Sequence, residues 1–255
     1  MLIDELLEAK GRVLHFTLLD PDRQGLDALA ERARSSERFG TDALMVGGSS
    51  SFRPRLVEAA VRTLKGAVGL PVILFPNSAT DVVKGADAVF FMSLLNADDP
   101  RVLVREQARA APLVARARLD AISMAYIVVG TSRRPTSVER RVKLDRIGPR
   151  DISKAASYAL AGRFFGMGCT YLEAGSGADR PVPLPMIRAV RAGIRGPLVV
   201  GGGIRTAGQA RRLAEAGADI IVTGTIAERN IAKLKAIVDA VHRVRVSGRP
   251  GGACF

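Results

Sequence analysis

Residues 198–225 read LVVGGGIRTAGQARRLAEAGADIIVTGT. A short apolar run (198–200), three glycines, an amphipathic stretch (207–216), a second apolar run (220–223) and Gly224-Thr225 follow one another. Runs apolar on both faces are what a buried parallel strand requires, so the stretch predicts one right-handed strand–helix–strand unit. Working outward, the same alternation fills the chain. Strand-like runs fall at 13–19, 43–46, 72–75, 88–94, 122–129, 171–174, 198–200 and 220–223. Helical periods lie between them at 26–39, 54–65, 102–117, 152–165, 185–192, 207–216 and 226–244. Eight such strands in 255 residues predict a single-domain α/β fold, a (β/α)8 barrel, because a doubly wound sheet brings fewer strands and a nucleotide fingerprint after the first. Residues 76–86 leave room for at most a turn or two, so the third helix is expected to be shortened and the outer wall thin there. The barrel domain is expected to span 1–245, followed by a flexible basic tail over 246–255.

Composition excludes several classes. With 47% hydrophobic residues, 25% charged and 5% aromatic, the chain has the profile of a globular domain, and no stretch approaches the ~18 apolar residues of a membrane span. Two cysteines, Cys169 and Cys254, form no Cys-x-x-Cys pair and have no His cluster nearby. A zinc ribbon and a disulfide framework are therefore excluded, and a reducing cytoplasm is the expected location. Lys and Arg number 38 against 25 acidic residues, a net charge of +13. That excess favours anionic partners. The basic residues are scattered and no nucleic-acid-binding motif is present, so no nucleic acid partner is expected, and phosphorylated small molecules or peripheral contact with an anionic membrane fit better. Neither a dinucleotide fingerprint nor a P-loop occurs.

In a barrel of this kind, chemistry gathers where the strands end at their carboxyl side. Asp20-Pro21-Asp22, Gly47 to Ser51, Tyr171 to Gly177, Gly201 to Arg205 and Gly224-Thr225 all fall there. Glycines after strands six, seven and eight (Gly175, Gly177, Gly202, Gly203, Gly224) let backbone N–H groups approach a phosphate that side chains would block. Asp20 offers a hard oxygen ligand for Mg²⁺, and the Ser49 hydroxyl on the next loop can join it. Asp22 reads best as the N-cap of the following helix. Glu173, two residues after Tyr171, points to the same side of its strand and can accept a proton from a substrate hydroxyl; a buried ion pair is the alternative. His15 reads as a packed core residue and His242 as the solvent side of a helix. Asp98-Asp99 reads as a cap for the helix at 102. The polar loop 130–151 is longer than such loops usually are, which marks it as functional or mobile.

The segments LHFTLLDPD (14–22), TDALMVGGSSS (41–51), MSLLN (92–96), YLEAGSGA (171–178), VVGGGIR (199–205) and VTGT (222–225) occur in this order. Together they resemble the geranylgeranylglyceryl phosphate synthase family, including its bacterial relatives. The resemblance implies a Mg²⁺-dependent prenyltransferase joining a polyprenyl diphosphate to the 3-hydroxyl of sn-glycerol 1-phosphate. It places the metal on Asp20 and Ser49, and the glycerol phosphate on Tyr171, Leu172, Glu173, Ala174, Gly175, Ser176, Gly177, Gly202, Gly203, Gly224 and Thr225, with Glu173 and Tyr171 catalytic. The loop after strand five departs from the family and carries Arg133, Arg134, Arg140, Arg141 and Lys143, partners for a second anionic group. Two further readings are therefore open: a moenomycin-type relative using 3-phosphoglycerate and a farnesyl-type donor, or a metal-independent sugar-phosphate-binding barrel. Oligomers of such enzymes are common, so a homo-oligomer is expected.

Overall fold

The structure is a computed structural model that describes residues 1–48 and 54–245. Eight parallel strands close into a barrel in sequence order: β1 (Leu14–Leu19), β2 (Ala43–Gly47), β3 (Val72–Phe75), β4 (Ala88–Leu94), β5 (Asp120–Val128), β6 (Cys169–Glu173), β7 (Leu198–Gly201) and β8 (Ile220–Thr223). β1 and β8 complete the circle, with Leu14 opposite Ile220 and Thr17 opposite Thr223. Alternation along each strand divides the apolar side chains into two sets. Leu14, Phe16, Met45, Phe90, Met124, Tyr171 and Val222 fill the barrel interior. Leu172, Ala174, Val200 and Ile221 face outward onto the helical layer.

That layer comprises α2 (Leu26–Arg38), α3 (Pro54–Ala67), α4 (Glu106–Ala117), α6 (Ile152–Phe164), α7 (Leu184–Gly193), α8 (Ala207–Glu215) and α10 (Ile231–His242). Between β3 and β4 only a 3₁₀ turn forms, Ala79–Asp81, and Glu106 at the start of α4 leans across to accept its Ala79 N–H at 2.9 Å. The wall is as thin there as the twelve intervening residues, 76–87, require. No helix among the described residues is long and apolar enough to cross a membrane.

Several local expectations need correction. The helix expected at 226–244 is two helices, α9 (Thr225–Arg229) and α10, broken at Asn230, whose φ of −155° and ψ of 75° leave the helical region. The loop after β5 carries a short helix of its own, α5 (Ser137–Arg141), started by a Thr136/Glu139 capping box. Asp22 caps no helix: Gly25 precedes α2, and it is Asp20 that accepts the Asp22 N–H, closing a 3₁₀ turn over Pro21–Arg23. Asp99 does cap, accepting the Arg101 N–H at 2.8 Å ahead of a wide helical turn at Arg101–Arg105. An N-terminal helix, α1 (Leu2–Lys10), went unread; it inserts Ile3 and Leu7 beneath the barrel and ends at Gly11 in the left-handed region. The tail at 246–255 lies outside the described residues.

His242 is not a solvent-facing residue. Its Nε2 lies 2.9 Å from Asp42 Oδ2, and Arg12 reaches the other oxygen at 2.8 Å. Burial would push the Asp42 carboxyl up, but His242, Arg12 and the His15 N–H bring it down to about 2. His15 is a core residue, as its run implies: Nδ1 meets Thr41 Oγ1 at 2.6 Å and Nε2 meets Thr223 Oγ1 at 3.0 Å, tying β1 to β8. Burial lowers its pKa from 6.5 to about 3, against the pull of Asp42. The unfolded chain takes up this proton near pH 6.5 while the folded one resists it to about 3, so stability falls as pH drops through that window. Urea unfolding should show the wild type losing about 2 kcal/mol more than His15→Gln between pH 7 and pH 5. Equal losses in the two proteins would remove His15 as the origin of acid sensitivity.

Candidate active site

One cavity of about 910 Å³ opens at the carboxyl ends of the strands and runs down to the thin wall. Two chemically different regions share it. Its polar rim is built by the loops after β6, β7 and β8. Gly175, Gly177, Gly202 and Gly203 all have positive φ, at 97°, 75°, 82° and 67°. At Gly202 a Cβ would fall 2.5 Å from Glu173 Oε1, and at Gly203 2.5 Å from the Arg180 carbonyl oxygen, so neither position admits a side chain. The N–H groups of Gly177, Gly202 and Gly203 donate to no described residue. These donors, left open beside a cavity, form a cup suited to an anion.

The second region is apolar. Phe75, Phe90, Met92, Leu94, Val102, Ala110, Tyr126 and Val142 line it. Four of its rings interlock: Tyr126 and Tyr171 lie 5.3 Å apart edge to face, Phe75 sits 5.8 Å from Tyr171, and Phe90 lies 6.1 Å from Phe75.

Glu173 stands where the two regions meet. Its carboxylate is buried, accepts the Gly175 N–H at 2.5 Å, and is hydrogen-bonded by the Tyr171 hydroxyl. Burial raises its pKa, and the Tyr171 and Gly175 hydrogen bonds hold it back. Among the described residues no cation pairs with Glu173, whose partners are Tyr171 and the Gly175 N–H, so the alternative reading as half of a buried salt bridge finds no support there. Tyr171 itself is pushed well above its usual range by burial and by Glu173, and remains protonated as a donor. Such a carboxylate is a base sharpened by desolvation.

Ser176, Gly224 and Thr225 also line the cavity. Leu172 and Ala174 do not. The two-residue period of β6 turns both side chains outward into the layer beneath α6 and α7, which corrects their assignment as substrate-contacting residues. Ser49 lies outside the described residues. Of the five basic residues of the β5 loop, Arg141 alone is among the described cavity-lining residues; Lys143 pairs with Asp98, and Arg140 bonds the Pro135 carbonyl. The Arg133 N–H meets Asp179, helping to clip this loop to the one after β6. Among the described residues, Arg141 is thus this loop's basic contribution to the cavity wall.

Sequence reasoning missed Arg23, Asn77, Gln107 and Glu228 on the cavity wall. Only the first carried a signal, its place one residue beyond Asp20-Pro21-Asp22.

Asp20 closes the rim on the β1 side. Its side chain is 5% exposed; Oδ1 accepts the Asp22 N–H at 3.0 Å and Oδ2 lies 3.2 Å from Arg23 Nε. Burial raises its pKa, opposed by that N–H and by Arg23. A Cβ on Gly48 would lie 2.1 Å from Oδ2, so glycine there keeps the carboxylate's outer face clear. Among the described residues no group of three or more His, Cys, Asp or Glu side chains is placed to hold a metal. A single carboxylate at a cavity mouth is the donor set for Mg²⁺ that arrives with substrate phosphates and keeps its waters, and Asp20 fits that role.

A (β/α)8 barrel joining an anion cup, a buried carboxylate and an apolar pouch defines an enzyme for a substrate pair with phosphate at one end and hydrocarbon at the other. The chain belongs to the PcrB family, which it matches over residues 5–241. It is 49% identical to the geranylgeranylglyceryl phosphate synthase of Methanothrix thermoacetophila over 89% of this chain and 90% of that protein. To the enzyme of the same name from Thermococcus gammatolerans it is 47% identical, covering 86% of each. A crystal structure of (S)-3-O-geranylgeranylglyceryl phosphate synthase from Thermoplasma acidophilum in complex with its substrate sn-glycerol-1-phosphate superimposes with a TM-score of 0.90. It is 38% identical, over 96% of this chain and 99% of that one.

If the glycine cup is the anion site, Gly202→Ala should weaken binding of inorganic phosphate at least about tenfold by calorimetry, a cost of roughly 1.4 kcal/mol, with an unchanged circular dichroism spectrum. Undiminished binding would place the anion elsewhere.

Proposed function

We propose that the chain is a prenyltransferase joining a polyprenyl diphosphate, geranylgeranyl diphosphate foremost, to the 3-hydroxyl of sn-glycerol 1-phosphate, with release of diphosphate. The observation that carries this is the position of Glu173: its carboxylate abuts the glycine cup through Gly175 and Gly202, and through Tyr171 it abuts the aromatic pouch. The naming of the relatives supports the same reading.

The acceptor phosphate is held by the N–H groups of Gly177, Gly202 and Gly203 and by the Gly224-Thr225 turn, which leaves the glycerol hydroxyls directed toward Glu173. The 3-hydroxyl oxygen bonds to the first carbon of the prenyl chain as that carbon's bond to the diphosphate oxygen breaks. The electron pair of the broken bond leaves with diphosphate, and the hydroxyl proton passes to the Glu173 carboxylate. Positive charge developing on the allylic carbon is faced by the rings of Tyr126 and Phe75. Mg²⁺, held by Asp20 and by Ser49, would neutralise the leaving diphosphate. The prenyl tail occupies the apolar pouch toward the thin wall and Ala110. The same reading takes the enzyme to be a cytoplasmic homo-oligomer with peripheral membrane contact at most.

Incubation with C15, C20 and C35 diphosphates and either sn-glycerol 1-phosphate or 3-phosphoglycerate, with and without Mg²⁺, tests this directly. Ether product from sn-glycerol 1-phosphate that depends on Mg²⁺ is the expected result; turnover of 3-phosphoglycerate alone would overturn the acceptor, and activity in chelator would overturn the metal. Glu173→Gln should lower kcat by about 10²–10⁴. Tyr171→Phe removes a hydrogen bond that holds the Glu173 pKa down, so the acidic limb of its pH–rate profile should move to higher pH. Ala110→Phe should shift preference toward shorter donors, and an unaltered preference would remove the tail from that wall.

A further inference from the structure

The Gly175 N–H helps to decide the state of Glu173, and a glycine does not hold its own N–H still. Glu173 Oε1 accepts that N–H at 2.5 Å, and the bond is one of two that keep the buried carboxyl from rising further. Gly175 sits at a φ of 97°, a region open to glycine and closed to most residues, so the direction of its N–H needs a restraint from outside. Its carbonyl is held within the β6 loop by the Ala178 N–H at 3.1 Å, which leaves the Cα side to be fixed. Thr136 fixes it. This residue is 5% exposed and lies where a side chain on Gly175 would point: a Cβ there would fall 2.3 Å from Thr136 Cγ2, 2.6 Å from its Cβ and 2.9 Å from its Oγ1.

Thr136 is itself held from α5. Its N–H and its hydroxyl both donate to Glu139 Oε2, at 2.7 and 2.8 Å, in the capping box that opens the helix. With the hydroxyl committed to Glu139, the β-branched side chain keeps one rotamer, and the methyl is the branch nearest Gly175. The segment before it is pinned to the loop after β6. Thr131 Oγ1 donates to the Arg180 carbonyl at 2.6 Å, the Arg133 N–H to Asp179 Oδ2 at 3.1 Å, and the Asp179 N–H to Ser132 Oγ at 2.9 Å. The two branches of Thr136 thus have separate tasks: the hydroxyl starts a helix, and the methyl presses on the residue that donates to Glu173.

We infer that Thr136 is a positioning residue for the base: its methyl, packed on Gly175, keeps the Gly175 N–H on Glu173, so the loop after β5 sets the alignment of the carboxylate at the end of β6. This inference rests on the proposed role of Glu173 as the base. Loss of the methyl frees the Gly175 peptide to turn, which weakens the N–H bond and leaves Glu173 less well aligned and more easily protonated. The other titratable groups that face Glu173 are Tyr171 on its own strand and Tyr126 on β5, both kept protonated by burial. Neither is changed by a substitution at Thr136, so the effect reaches Glu173 by way of Gly175.

Two substitutions divide the side chain. Thr136→Ser keeps the hydroxyl and its cap but removes the methyl, whereas Thr136→Val keeps the methyl and removes the hydroxyl. The Glu173 carboxyl carbon, followed by ¹³C NMR in the full chain labelled at glutamate and assigned by its absence from Glu173→Gln, should titrate at higher pH in Thr136→Ser than in wild type. Thr136→Val should rescue the wild-type titration while melting at a lower temperature than Thr136→Ser, because it has lost the cap. In Thr136→Ser, kcat should fall about tenfold and the acidic limb of the pH–rate profile should move to higher pH, while affinity for inorganic phosphate stays within about twofold. An unshifted Glu173 titration in Thr136→Ser, an equal shift in both variants, or phosphate affinity lost along with kcat overturns the positioning role. Glu173→Gln separates the two readings. If it leaves kcat intact the base falls, whereas the titration judges the methyl without reference to catalysis. In the Glu173→Gln background Thr136→Ser should cost nothing more, and a full loss there would mean that Thr136 acts elsewhere.

Discussion

The site depends on one close approach, that of the Gly201–Gly203 backbone to the end of β6. A Cβ on Gly201 would lie 2.2 Å from the Tyr171 hydroxyl, and one on Gly202 would lie 2.5 Å from Glu173 Oε1. Glycine at both positions is what allows a carboxylate to be buried between a tyrosine hydroxyl and the Gly175 N–H while the open N–H groups of the next loop face the same space. Bury the carboxylate without those partners and it becomes a neutral acid; fill the glycines and the anion cup closes. Acid–base group and phosphate grip are thus consequences of a single steric condition, set where two neighbouring parallel strands end. That condition is met only because the barrel's closure brings β6 and β7 into register, with Glu173 opposite Gly201.

Much of this architecture is visible in the residues. Runs such as IIVT and LVVG, apolar on both faces, have no stable home except a doubly covered parallel strand, and the short stretch between β3 and β4 cannot hold a helix. The glycine clusters after β6, β7 and β8 were legible for the same reason: glycine in series at strand ends signals close backbone approach. What escaped was set by tertiary contact. Leu172 and Ala174 sit within a motif whose neighbours face the cavity, and only the alternation of β6 turns them away. His242 looks like a surface histidine on its own helix, and becomes structural because α10 is laid against Asp42, the residue just before β2. Asn230, which splits the last helical region in two, carries no glycine or proline to announce the break. The N-terminal helix has Ile3, Leu6 and Leu7 at helical spacing with Gly11 after it, a pattern that could have been read.

The basic character of the chain also resolves differently in space than in sequence. The arginines after β5 look like a second anion site, yet Lys143 is paired with Asp98, and Arg140 is turned back to its own loop. The cations that do face the cavity, Arg23 and Arg205 among them, are individually placed: Arg205 donates to the Ala178 and Asp179 carbonyls and bridges the β7 loop to the β6 loop. Charge here serves to fix loop geometry as much as to attract a ligand.

A crystal structure of the protein soaked with sn-glycerol 1-phosphate tests the central claim most directly. The account predicts the phosphate against the N–H groups of Gly177, Gly202 and Gly203, with a glycerol hydroxyl within hydrogen-bond distance of the Glu173 carboxylate. A phosphate bound away from these loops, or a glycerol chain turned from Glu173 with the cup filled, would contradict it.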